Sequence, residues 1–196
     1  MKSKNWLNRQ KKDRFVIKSK QKGFLSRSAF KLIEIESKYS FIKHSKEVID
    51  LGAAPGSWCQ VILNYNSKVK ITAVDPLNLK FLHPNIEFIK DDFTQIDFKC
   101  INKKYDLILS DLAPNTTGHQ STDHLRISNY IYFIIENLNF IANLESNLVV
   151  KIWKGSEESS ITKMLKERYR SVSYFKPKSS RRDSSEIYIV GQKFIN

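Results

Sequence analysis

The stretch NLVVKIWKG, residues 147–155, sets an ammonium, Lys151, inside an apolar run of the kind that builds a buried strand. A desolvated lysine costs several kcal/mol unless it is paired or neutralised. Lys151 therefore needs carboxylates nearby or a chemical task. Carboxylates close other runs of strand character: Asp50 in EVIDLG, Asp75 in KITAVD, Asp91 and Asp92 in IEFIKDDF, and Asp111 in YDLILSDL. Any one of them could cap a helix or shape a turn. Acids at the ends of four successive runs, in a chain of net charge +13, point instead to an acidic pocket along one sheet edge. Thiol and zinc chemistry find no support. The two cysteines, Cys59 and Cys100, form no CxxC, and His44, His83, His119 and His124 form no HExxH, so no metal is expected.

These residues must be carried by regular elements. Strand patterns occur at 47–52, 70–75, 86–92, 105–112, 147–153, 171–175 and 186–194, with helical patterns at 27–39, 57–65, 123–143 and 159–169. Strands alternating with helices predict an α/β fold, a mostly parallel seven-stranded sheet with helices on both faces. The last two strands are joined only by KPKSSRRDSS, too short for a crossover helix, so they should form an antiparallel C-terminal hairpin. Residues 23–196 read as a single domain. Residues 1–22 read as a basic N-terminal arm, with nine Lys/Arg against one acid, Asp13. That arm is either a solvated tail or a phosphate-binding segment with Trp6 or Phe15 free to stack on a base. The charge and a pI near 9.7 favour a polyanionic partner. Every apolar run stops well short of about 18 residues, so no membrane span is expected and a cytoplasmic location is the default.

In open α/β sheets, ligands bind beyond the carboxyl ends of the strands. The first strand delivers DLGAAPGSW there, with Gly52 and Gly56 allowing close backbone approach. This is neither G-x-G-x-x-G nor a P-loop, which weakens a dinucleotide or nucleoside-triphosphate reading. Asp75, twenty-three residues after Gly52 (75 − 52), could accept both hydroxyls of a ribose. Asp92 and Phe93 could hold an adenine amino group and its ring. An acidic pocket for a nucleoside that lacks a triphosphate and carries a cationic centre fits S-adenosylmethionine.

The segments SRSAFKL, DLGAAPGSW, DDF, SDLAPN, VVKIWKG and SSRRDSSEIYIV, in this order between about Gly23 and Gly191, resemble the FtsJ/RrmJ family of RNA ribose 2′-O-methyltransferases. The resemblance is nearest to the bacterial branch that methylates a uridine in large-subunit (23S) ribosomal RNA. It implies a Rossmann-like methyltransferase fold with S-adenosylmethionine as cofactor, held by Gly52, Gly56, Trp58, Asp75, Asp92, Phe93 and Asp111. It also implies a catalytic tetrad of Lys31, Asp111, Lys151 and Glu186. In that tetrad Lys151 accepts the proton or orients the 2′-oxygen, Asp111 positions Lys151 near the methyl group, and Lys31 and Glu186 orient the substrate. Two departures adjoin cofactor positions: Ser57 stands where the family usually has a second glycine, and Asp91 where a glycine usually precedes Asp-Phe. The expected RNA surface combines the N-terminal arm with Lys31, Lys154, Lys176, Lys178, Arg181 and Arg182. The expected partner is ribosomal RNA, on the assembled large subunit, with the protein acting as a monomer. The alternatives are a tRNA ribose methyltransferase, a non-catalytic RNA-binding or ribosome-assembly protein on the same scaffold, and an amino-methyltransferase. Against the last, SDLAPN lacks the second proline and the aromatic residue that grip an amino group.

Overall fold

The structure, a computed structural model, describes residues 11–112, 120–155, 157–181 and 183–196. Trp6, Arg182 and the Ala113–Asn115 part of the SDLAPN segment lie outside the described residues. Seven strands form one sheet: β1 (Glu47–Leu51), β2 (Lys70–Val74), β3 (Ile86–Ile89), β4 (Tyr105–Ser110), β5 (Ala142–Trp153), β6 (Tyr169–Phe175) and β7 (Glu186–Phe194). Their spatial order is β3-β2-β1-β4-β5-β7-β6. The first five strands run parallel, and β7 enters antiparallel between β5 and β6. Chain order therefore reverses between β1 and β4. A crevice opens at such a switch point because successive connections leave on opposite sides of the sheet.

Helices α1 (Arg14–Gln21), α2 (Ala29–Tyr39), α3 (Ser57–Tyr65), α4 (Phe98–Ile101), α5 (Gln120–Ile141) and α6 (Glu158–Lys166) complete the described architecture. Strand residues alternate between two cores. Leu148, Val150, Ile152, Ile187 and Ile189 pack with Ile131, Ile134 and Leu138 of α5. Val149, Tyr188 and Val190 pack with Leu32 of α2 and Trp58 of α3. The period of two thus puts Lys151, two residues from Val149, on the α2 face.

Beyond shifts of a few residues at element ends, β3, β5 and the arm differ from the sequence reading. β3 ends at Ile89 rather than 92, because Asp92 caps a 3-10 turn (Phe93–Gln95), accepting from the Thr94 N–H at 3.0 Å. β5 starts at Ala142, and its register slips between the Tyr105 and Leu107 pairings, a bulge that an alternation pattern does not register. Within the arm, Arg14–Gln21 forms a helix capped by Asp13, whose carboxylate accepts from the Phe15 and Val16 N–H groups at 3.0 and 3.4 Å. The Phe15 ring lies 5.4 Å from that of Phe30, seating the helix on α2.

Candidate active site

Antiparallel pairing sets Lys151 opposite Tyr188 and Trp153 opposite Glu186. Parallel pairing sets Ser110 beside Val150, so the chain leaves β4 at Asp111 next to Lys151. Helix α2 crosses this face and supplies Lys31. Four charged side chains from four elements therefore meet. Lys151 Nζ lies 3.0 Å from Asp111 Oδ1 and donates to the Asp111 carbonyl oxygen at 2.7 Å. Lys31 Nζ donates to Glu186 Oε2 at 2.8 Å and lies 3.7 Å from Asp111 Oδ1. The Tyr188 hydroxyl donates to the same Asp111 oxygen at 2.6 Å. The Ser180 hydroxyl donates to Glu186 Oε1 at 2.8 Å.

This arrangement explains how an ammonium only 6% exposed is tolerated at Lys151: two oxygens of one residue replace its water. Burial alone would push the Asp111 carboxyl up. The ammonium groups of Lys151 and Lys31 and the hydroxyl of Tyr188 outweigh it and hold the group below the ordinary carboxylate range. Burial and the Asp111 and Glu186 carboxylates push the Tyr188 phenol up, so it stays a donor. One step inward, burial among Asp111 and Asp75 raises the Asp50 carboxyl to about 7, despite a contact from the Cys59 thiol at 3.6 Å.

The FtsJ-like methyltransferase family model matches residues 24–194, which span every one of these groups. The chain belongs to the FtsJ-like methyltransferase family. Two relatives are each named ribosomal RNA large subunit methyltransferase E. The one from Ehrlichia chaffeensis is 38% identical over 201 residues, covering 99% of this chain and 94% of the relative. The one from Granulibacter bethesdensis is 39% identical over 197 residues, covering 98% and 85%. A crystal structure of a putative ribosomal RNA methyltransferase from Plasmodium falciparum superposes with a TM-score of 0.77 at 33% identity, covering 88% of this chain and all of that one. The fibrillarin pre-rRNA processing protein of Methanococcus jannaschii, at 16% identity and TM-score 0.53, shares the fold.

In this methyltransferase the expected cofactor residues line the ends of β1 to β4, with different parts exposed. Gly52 has φ +83°, and a Cβ there would lie 2.6 Å from Leu112 Cδ2. The backbone can hold that turn and approach a ligand only without a side chain. Gly56 has φ +106° and is the N-cap of α3. The Asp75 carboxylate accepts from the Ala54 and Leu77 N–H groups at 2.9 and 2.8 Å, which fixes it beside the Gly52 loop. Asp92 is fixed likewise by the Thr94 hydroxyl at 2.8 Å. The Phe93 ring is enclosed by Tyr130 and Phe133, at centroid distances of 5.2 and 5.6 Å. It belongs to the α5-side core. Trp58 is also enclosed: its indole N–H donates to the Ser28 carbonyl at 3.0 Å and its ring lies 6.1 Å from Tyr188. It supports the tetrad from behind. Ser57, the departure from the family pattern, donates to the Ser26 hydroxyl at 2.8 Å and so ties α3 to the start of α2.

Of the expected RNA residues, Lys154, Lys176 and Lys178 are exposed. Lys176 Nζ donates to the Ser184 carbonyl at 2.7 Å and to the Glu186 carbonyl. Burial pushes its pKa down, and Lys154 and Lys31 add to this against Glu186. Arg181 Nε lies 3.3 Å from Asp13 Oδ2. The sequence reading missed Tyr188, Ser180, Arg27 and a structural role for Asp13. Arg27 donates to Asp13 and to the Ser179 carbonyl, so Asp13 joins the arm, α2 and the β6–β7 loop. Tyr188 could have been found, since it lies two residues along β7 from Glu186 and hence on the same face.

Proposed function

We propose that this protein transfers a methyl group from S-adenosylmethionine to the 2′-hydroxyl of a uridine in large-subunit ribosomal RNA, on the assembled subunit. The observation that carries this reading is the alternating cluster at the switch point, Lys151–Asp111–Lys31–Glu186, beside a glycine loop flanked by Asp75 and Asp92. The two relatives named ribosomal RNA large subunit methyltransferase E support the choice of RNA.

When bound, S-adenosylmethionine supplies an electrophilic methyl on a sulfonium that loses its charge on transfer. The residues present fit such a ligand. Gly52 offers bare backbone, Asp75 would accept its ribose hydroxyls, and Asp92 would accept its adenine amino group. Asp111, kept ionised by its two lysines, would favour the cationic centre. The 2′-oxygen must lie in line with the methyl carbon and shed its proton. Lys151 Nζ, held in place by the two oxygens of Asp111, orients that oxygen and, as the neutral amine, takes the proton. Lys31 and Glu186 form an ion pair across the entrance and align the target ribose, with Ser180 fixing the second oxygen of Glu186. The segment SDLAPN lacks the second proline and the aromatic residue that grip a base amino group, which sets it apart from amino-methylation.

The test is Lys151→Ala, with methyl transfer to undermethylated large subunits and cofactor affinity measured separately. We expect the rate to fall at least about 100-fold, the low end for a positioned acid or base, with cofactor affinity changed only slightly. Normal turnover by this variant would remove Lys151 from the reaction.

A further inference from the structure

Beyond the tetrad, the β6–β7 loop and α2 enclose a cleft of about 200 Å³ lined by Arg27, Lys31, Arg181, Ser184 and Glu186. On the other side of Lys176 and Phe15 lies a larger groove, about 700 Å³, between α1, α2 and the end of β6. Its rim carries Arg14 and Lys18 from α1 and Lys176 and Lys178 from the loop. Its floor is apolar, formed by Phe15, Ile33 and Phe175. Glu34 is the one acid among the lining residues. Its carboxylate is already engaged by the backbone N–H groups of Lys178 and Ser179 at 2.5 and 2.9 Å. Among the described residues, no ion pair with a carboxylate involves any of the four rim cations.

The groove and the cleft are continuous in their parts. Lys176 lines the groove while its ammonium bonds the carbonyls of Ser184 and Glu186 in the cleft wall. Arg27 lines the cleft while its guanidinium stands 5.7 Å above the Phe15 ring in the groove. A chain leaving the tetrad therefore meets cations throughout and then an apolar floor. A duplex presents phosphates and ribose edges to such a surface and leaves the floor unused. An unpaired strand uses both, with phosphates on the rim and bases against the floor.

We propose that this groove binds the single-stranded RNA flanking the target nucleotide, with Arg14 and Lys18 on its phosphates and Phe175 under one of its bases. The proposal rests on the RNA-ribose reading above and extends it to the substrate's form: the target lies in an unpaired segment, and α1 is part of the binding surface rather than a tail.

The test uses the full chain and fluorescence anisotropy of a labelled RNA of about 12 nucleotides, within the site sizes of single-strand binders, against a duplex of the same length. Unfolding midpoints are recorded for every variant. Arg14→Ala/Lys18→Ala should weaken single-strand binding roughly tenfold. It should also flatten the log–log salt slope by about 1.4, two phosphate contacts at about 0.7 each. Phe175→Leu keeps an apolar floor without the ring, and should weaken binding about fivefold or more with the slope unchanged. The proposal is overturned if both variants bind like the parent, if the duplex binds as tightly as the single strand and weakens in parallel, or if an acidic peptide displaces the RNA while the variants bind RNA normally. Methylation by the parent protein is assayed alongside. Absence of ribose label there would refute the chemistry without touching the anisotropy result, so the two failures are distinguishable.

Discussion

Asp111 carries most of the site's organisation. One of its carboxylate oxygens meets Lys151, Lys31 and Tyr188, and its carbonyl meets Lys151 again. The sequence brought Asp111 and Lys151 to notice through their position at the ends of apolar runs. It gave no comparable signal for Lys31, an ordinary helix lysine until the fold lays α2 across β5 and β7. Arg27 was illegible for the same reason, since Ser179 lies far away in the chain and only the loop's docking brings them together; Ser180 lies in the loop just before Glu186, where no periodicity assigns a hydroxyl its partner. Two predictions belong at this scale. Tyr188→Phe removes the 2.6 Å donor to Asp111. It should lower the methylation rate about tenfold and stability by about 1 kcal/mol, the usual worth of one hydrogen bond, read from single-turnover rates and denaturant melts. Asp50, neutral when folded below about 7, binds more protons in the folded than in the unfolded state between pH 4 and 7. Stability must therefore fall as pH rises through that window. Asp50→Asn should raise the melting temperature at pH 8.5 by roughly 3–6 °C and leave it nearly unchanged at pH 4, where the parent carboxyl is itself protonated; calorimetry at the two pH values checks the sign.

The elements were largely legible because each strand's apolar period is strong and its crossover helix follows at once. What the pattern could not show is the order in which β7 enters the sheet. Either neighbour would satisfy a run as apolar as EIYIV, and only insertion between β5 and β6 brings Glu186 and Tyr188 to Lys151. Helix α1 was missed because eight residues with two lysines and one arginine carry little apolar period, although Asp13 before RFVIKSKQ was a usable cap signal. Phe93 illustrates the converse. Its place after β3 suggested a ring for adenine, and the 3-10 turn begun by Asp92 packs that ring against Tyr130 and Phe133. The glycine turn after β1 gives this scale its prediction. Gly52→Ala forces a Cβ onto a backbone at φ +83° and against Leu112. It should cost about 1–2 kcal/mol of stability and abolish measurable S-adenosylmethionine binding by calorimetric titration; unaltered binding would mean that the ligand does not approach this turn.

Across the whole molecule, the net charge of +13 and the acidic strand ends are complementary features. The carboxylates gather where a cationic cofactor would lie, while Arg14, Lys18, Lys176 and Lys178 line the groove beside α1 and Lys154 is exposed. No helix among the described residues is long and apolar enough to cross a membrane. RNA affinity should fall steeply and linearly in a log–log plot against salt, since each neutralised phosphate contributes to the slope, and a flat plot would remove the electrostatic surface from the account. The central claim, ribose methylation of large-subunit ribosomal RNA, is tested most directly by incubating the protein with labelled S-adenosylmethionine and undermethylated large subunits, then locating the label in the RNA. Label is expected on the 2′-oxygen of one uridine, resistant to alkaline cleavage on its 3′ side. Label on a base, or on tRNA in preference to the subunit, would contradict it.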